Sequence, residues 1–130
     1  MPRRVTVGLI QSAAPVSDPA VPIEQVKEAA IAAHLPLIEE AGRRGVQMLG
    51  LQEIFNGPYF CPSQDARWYD IAEPVPGPTT NLIADRARTY GMAVVVPGYE
   101  REQAGVLYNT AAGYEHDGTH PGKFRKNHIP

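Results

Sequence analysis

Cysteine is almost missing from these 130 residues: Cys61 stands alone. No internal disulfide can form, and the chain suits a reducing compartment. Long apolar runs are missing too, since none approaches the ~20 residues that a bilayer span requires. Neither sign of charge is in excess. A formal net charge of −2 gives no electrostatic reason to expect nucleic acid or an anionic membrane as partner. The opening Met-Pro-Arg-Arg leads straight into a strand-like segment, without the apolar stretch and small-residue cleavage site of a signal peptide. There is no glycine-rich phosphate loop, and His116, His120 and His128 lack the spacing of a zinc site. No repeat, low-complexity segment or interior linker divides the chain. These absences predict a soluble, cytoplasmic protein without metal or nucleotide. With 43% apolar content it can build one modest core, hence one domain or part of one.

What is present alternates between strand and helix signals. Val5–Ile10 (VTVGLI) reads as a strand buried on both faces. Ile23, Val26, Ala30, Ala33, Leu37 and Ala41 then recur at helical spacing as one apolar stripe. Pro36 should kink or split that helix, and Gly42 and Gly45 should end it. His34, near the stripe, suits a packed and hydrogen-bonded role better than a ligand's. Val46–Ile54 is predicted as a second strand, and Asn56–Asp65, with Gly57, Pro58 and Pro62, as an irregular loop anchored by Trp68 and Tyr69. After the turn PVPGP at Pro74–Pro78, Thr79 or Thr80 can cap a helix running to Tyr90, with Leu82, Ile83, Ala87 and Tyr90 inward and Gly91 as its stop. Strands follow at Ala93–Val96, at Val106–Tyr114 and near Lys123–His128, the last two flanking the tight-turn pair Asp117-Gly118. The order β-α-β-α-β-β-β predicts an α/β layered domain with early parallel strands and later hairpins. Two helices cannot cover both faces of about five strands, so one face should be left under-protected.

Functional groups in open α/β sheets gather at the carboxyl ends of strands. Glu53 is expected at such an end. Either its apolar surroundings raise its pKa for work as a general base, or it pairs with a lysine or arginine at the sheet edge. Residue pattern alone leaves both open. Lys123, Arg125 and Lys126 alternate along the last strand, so Lys126 points opposite to the other two. Lys126 could face a carboxylate and stabilise an oxyanion, with Lys123 and Arg125 solvated; a solvated edge for all three is the plainer account. Cys61, between Phe60 and Pro62, has neither a helix N-terminus nor a base beside it, and reads as a loop-packing residue rather than a nucleophile.

GLQEIFNGPYF around Glu53, LYNTA at Leu107–Ala111 and GKFRKNHIP at Gly122–Pro130 resemble the nitrilase, or carbon–nitrogen hydrolase, superfamily. The resemblance runs through essentially the whole chain. QEIFNGPYFCPSQD followed by RWYDIAEPVPGPTT is closest to the N-carbamoyl amidohydrolase branch of β-ureidopropionase-like enzymes. It implies an α-β-β-α sandwich, of which residues 1–130 are the N-terminal half of a single domain. It also implies a Glu–Lys–Cys triad without cofactor, acting on a linear amide such as N-carbamoyl-β-alanine. Glu53 matches the general base and Lys126 the lysine that stabilises the tetrahedral intermediate. In that family the nucleophilic cysteine follows the Arg-Lys-x-His motif on a later strand, beyond Pro130. Cys61 matches a loop cysteine of the branch instead. Two of three catalytic groups are therefore expected here, and no amidase activity from these residues alone. The implied partner is a small-molecule amide, with a homo-oligomer when complete. N-carbamoylputrescine amidase and ω-amidase activities stay open within the class. A non-catalytic fragment or pseudoenzyme that serves as an interaction module is the reading from another class. Tyr59, Phe60 and His128 are candidate substrate contacts, each with an equal account as packing or structural hydrogen bonding; Asn109 reads as a tie at the sheet edge.

Overall fold

Two strand–helix–strand crossovers that step the same way across a sheet place both helices on one of its faces. The computed structural model, which describes residues 4–63 and 65–129, has this plan. Residues 1–3, Gln64 and Pro130 of the expected domain and motifs lie outside the described residues. The elements run β1 (Val7–Leu9), α1 (Ile23–Arg43), β2 (Met48–Gly50), a 3-10 helix (Ala66–Ile71), α2 (Pro78–Tyr90), β3 (Ala93–Gln103), β4 (Val106–Tyr114) and β5 (Gly122–Arg125). They form one five-stranded sheet in the order β1-β2-β3-β4-β5. β1, β2 and β3 are parallel, whereas β3-β4 and β4-β5 are antiparallel hairpins, the mixture read from the sequence.

Register sorts the side chains. Directly paired residues share a face, so Leu49, Val94, Val96, Ala112 and Tyr114 turn toward the helices and close over Ile38, Ile83, Ala84 and Ala87. Each fully buried Leu, Ile or Phe here stabilises the fold by about 1.5–3 kcal/mol. The helices approach closely at Gly42, where a Cβ would fall 2.3 Å from the Tyr90 ring. Glu73 fastens the start of α2, accepting from the backbone N–H of Thr79 at 2.7 Å and its hydroxyl at 2.6 Å, and pairing with Lys27 of α1.

Among the described residues, no helix lies on the opposite face. Leu9 is 85% exposed and Phe124 63%, and Val7, Met48 and Val95 are open as well. The under-protected face expected from the helix count is therefore real. β1 correspondingly departs from the doubly buried strand read from its composition: it is an edge strand whose outer side chains have nothing above them.

Other boundaries shift for local reasons. The stripe of α1 buries Val26, Ala30, His34 and Ile38, spaced by four, while Leu37 of the expected stripe is exposed. Alanines on both sides of the helix carry little phase information. α1 runs unbroken through Pro36, which sits on its exposed side. His34 is buried, with its Nδ1 2.8 Å from the Ala30 carbonyl, as expected of a packed histidine. Gly77 caps α2, and Thr80, inside the first turn, accepts from the Gly77 N–H at 2.8 Å. Gly91 ends α2 in the left-handed conformation. β3 extends to Gln103 because the β4 hairpin partners it almost throughout. Among the described residues, no helix is long and apolar enough to cross a membrane.

Candidate active site

The apolar run after Val46 was read as a strand through Ile54, but β2 ends at Gly50. Leu51 makes one more sheet contact, its N–H donating to the Val95 carbonyl at 3.2 Å, and the chain then turns. Ile54 takes a φ of +48°, a conformation that costs a β-branched residue about 1–3 kcal/mol. The turn closes with the Gly57 N–H on the Ile54 carbonyl at 3.1 Å. Leu51, Ile54, Phe55 and Asn56 are buried. Glu53 alone among them is exposed. A plug of buried side chains thus holds the knuckle while its one carboxylate is directed outward.

Two residues meet it. Lys126 follows β5 directly, and its Nζ donates to Glu53 Oε1 at 2.8 Å. Asn109, on the outer face of β4, donates from Nδ2 to the same oxygen at 2.7 Å. The Asn109 carbonyl also accepts from the Lys126 backbone N–H at 2.8 Å. Lys126 is separated from Lys123 and Arg125 by sheet face, as strand alternation predicted. Those two are not solvated, however: both bind the buried carboxylate of Glu100.

Of the two readings of Glu53, the structure shows the pairing with a lysine at the sheet edge and not the raised pKa of a hydrophobic surround. The Lys126 hydrogen bond, and after it the Asn109 bond, hold its carboxyl below the ordinary value against the smaller opposing effect of burial. It is a paired carboxylate, charged at neutral pH.

Glu53, Asn109 and Lys126 line an open cavity of about 350 Å³, with Gln52, Tyr59 and Cys61 on its other walls. Gln52 in turn accepts from the Ser12 backbone N–H, which ties the end of β1 to that of β2. The same three residues border a recess on the bare sheet face with Pro97, Ala111 and Phe124. Cys61 is exposed, not a packing residue. Of the other candidates, Tyr59 lines the cavity and is 72% exposed. Phe60 faces a neighbouring hollow, stacked on Trp68 with ring centres 5.9 Å apart and edge-on to Tyr99. Trp68 is the loop anchor expected, its indole N–H donating to Ser63 Oγ at 2.9 Å; the Tyr69 side chain is exposed. His128 is exposed and does not line the cavity. Asn109 was undervalued as an edge tie, for nothing in its immediate sequence indicates that it touches Glu53, 56 residues away. Among the described residues, no group of three or more His, Cys, Asp or Glu side chains is placed to hold a metal ion.

A profile of the carbon–nitrogen hydrolase family matches residues 7–130. The chain is 39% identical to a β-ureidopropionase of Arabidopsis thaliana, over 99% of its own length and 32% of that protein's. It is 36% identical to an N-carbamoylputrescine amidase of Solanum lycopersicum, over 72% of itself and 31% of that protein. Its fold superposes on a carbon–nitrogen hydrolase from Helicobacter pylori G27 with a TM-score of 0.82 at 24% identity, covering 97% of this chain and 40% of that one. The chain spans about a third of the length of the curated relatives it matches.

Proposed function

The chain belongs to the carbon–nitrogen hydrolase family, and from that premise we propose that it is the N-terminal part of one hydrolase domain acting on an N-carbamoyl amine or amino acid, such as N-carbamoyl-β-alanine. The observation that carries the reading is the 2.8 Å pair between Lys126 Nζ and Glu53 Oε1, made across 73 residues on the wall of a cavity. Glu53 is the general base and acid, and Lys126 the cation that faces the developing oxyanion. The nucleophilic thiol would be supplied by a later strand of the same domain, from the part of the relatives' length that this chain does not span.

In this mechanism Glu53 takes the thiol proton and the thiolate attacks the carbamoyl carbon. The carbonyl electrons move onto oxygen, where Lys126 stabilises them. Collapse expels ammonia as Glu53 returns its proton to the leaving nitrogen. Glu53 then activates a water that cleaves the acyl–sulfur bond, and the carbamate product breaks down to carbon dioxide and free amine. No step needs a cofactor. Tyr59 is the substrate contact best supported, since it shares the cavity. Phe60 and His128 would contact substrate only at its margin. The complete protein would work in the cytoplasm as a homo-oligomer.

Residues 1–130 alone should release no ammonia from N-carbamoyl-β-alanine. Turnover abolished by Cys61→Ser would overturn the placing of the nucleophile downstream. In a protein read through to its cysteine strand, Glu53→Gln and Lys126→Ala should each reduce kcat by about a hundredfold or more. Near-normal rates in either would remove the assignment. Comparing N-carbamoyl-β-alanine, N-carbamoylputrescine and an ω-amide in that protein separates the three substrate classes.

A further inference from the structure

We infer that Asn109 is a positioning residue that divides the work between the two oxygens of Glu53, anchoring Oε1 and leaving Oε2 to carry the proton. The inference rests on the reading of Glu53 as general base. Its geometry is independent of that reading. Asn109 binds both residues: its side-chain Nδ2 donates to Glu53 Oε1 at 2.7 Å, and its backbone carbonyl accepts the Lys126 backbone N–H at 2.8 Å. Lys126 Nζ donates to that same Oε1 at 2.8 Å. Among the described residues, no hydrogen bond reaches Oε2.

A carboxylate held by one lysine on a flexible stem can turn about its last torsion and offer either oxygen. A second donor fixed in a strand stops that rotation. Asn109 is fixed on both sides: it lies opposite Tyr99 in the β3–β4 ladder, and its neighbour Thr110 binds Glu100 on the other face at 2.7 Å. The amide also supplies its hydrogen bond without a charge, so Glu53 keeps the ability to accept a proton. With Oε1 saturated, the S–H bond breaks as Oε2–H forms, and Oε2–H returns the proton to the leaving nitrogen. Aspartate at position 109 would place a second carboxylate against Glu53.

The test reads the Glu53 carboxyl directly, by carbon NMR titration of the 1–130 chain carrying labelled glutamate. Around Glu53 the other ionisable groups of the cavity are Lys126, Tyr59 and Cys61. Asn109→Ala should move the Glu53 titration upward toward the ordinary carboxylate value, and the near-isosteric Asn109→Asp should move it further. If the alanine variant fails to fold, the aspartate variant carries the same readout. An unmoved Glu53 titration in a folded variant overturns the inference. In the protein read through to its cysteine strand, Asn109→Ala should lower kcat about ten- to a hundredfold with little change in KM, and shift the acid limb of the rate profile upward. If Glu53→Gln abolishes turnover there while Asn109→Ala leaves kcat and the acid limb unchanged, this inference fails and the base assignment stands. If Glu53→Gln remains active, the base assignment itself has failed.

Discussion

Glu53 is a charged side chain where the chain leaves β2 with its neighbours Leu51, Ile54, Phe55 and Asn56 buried, so its position is set by residues other than its hydrogen-bond partners. A Cβ at Gly57 would lie 2.8 Å from Cδ1 of the buried Ile71, so either that methyl or the turn itself must shift. Gly57→Ala should therefore disturb Glu53 from a distance, seen as movement of its carboxyl signal in the titration above. An unchanged signal would show that the turn can give. Cys61 behaves differently because its loop, unlike the knuckle, leaves it open. Alkylation by iodoacetamide should label Cys61 in the folded chain without prior unfolding. Strong protection would mean that the loop closes over the cavity in solution. The two residues show what single-residue reading can do. An outward carboxylate at the end of an apolar run was legible. Pairing with a lysine was one of two readings the pattern left open, and it could not be chosen because the donors responsible come from 56 and 73 residues downstream.

Lys126 reaches Glu53 only if β5 is held, and β5 is four residues at the open edge of the sheet. Glu100 of β3 holds it. This carboxylate is 1% exposed and receives Thr110 of β4 together with Lys123 and Arg125 of β5, the guanidinium bonding at 2.7 and 3.1 Å. Arg125 also bonds Glu102 at 2.7 Å and lies over the Tyr108 ring. Burial works to raise the Glu100 pKa, but the Arg125, Lys123 and Thr110 bonds outweigh it and hold it at about 2. A folded pKa below the unfolded value of 4.5 contributes stability in full above about pH 5. That contribution, on the order of 3 kcal/mol, is lost as pH falls toward 2. Glu100→Gln should cost about 2–3 kcal/mol at pH 7 and flatten this acid dependence, measured by urea unfolding between pH 2 and 7. A midpoint equal to wild type would mean that Lys123 and Arg125 are simply solvated. Alternation along the strand made the opposite facing of Lys126 legible, since it is a property of the extended backbone. The partner of Lys123 and Arg125 was hidden, because finding it needs the register of three strands and the bulge between Arg101 and Gln103. β4 was read to its ends because Val106 and Tyr114 bound a run with turns on both sides. β2 was overread because Ile54 enters the left-handed region with none of the glycine or asparagine that usually announces it.

For the molecule as a whole, the decisive feature is the asymmetry of its sheet. One face carries both helices, and the other presents Val7, Leu9, Met48, Val95 and Phe124 to solvent, with the Glu53–Lys126 pair at its border. Adjacent apolar side chains on that scale mark a surface made to be covered. A second sheet packed about 10 Å above would bury them and put a wall over the cavity that holds Glu53 and Lys126, as the α-β-β-α plan of the family requires. On the reading proposed above, a covering sheet and a nucleophile-bearing strand would belong to one and the same remaining part of the domain. The alternative, an interaction module, needs the same face to bind another protein, and the two can be separated. Residues 1–130 alone should bind a hydrophobic dye such as ANS and self-associate in light scattering at tens of micromolar. Leu9→Ser with Phe124→Ser should sharply reduce both signals with little change in melting temperature, because neither side chain belongs to the helix-side core. In the protein read through to its cysteine strand, the wild-type face should bind no dye, and the same double substitution should now lower the melting temperature, since it would remove buried contacts. A read-through protein that still binds dye as strongly as residues 1–130 would show that downstream sequence does not cover this face, and would favour the interaction module.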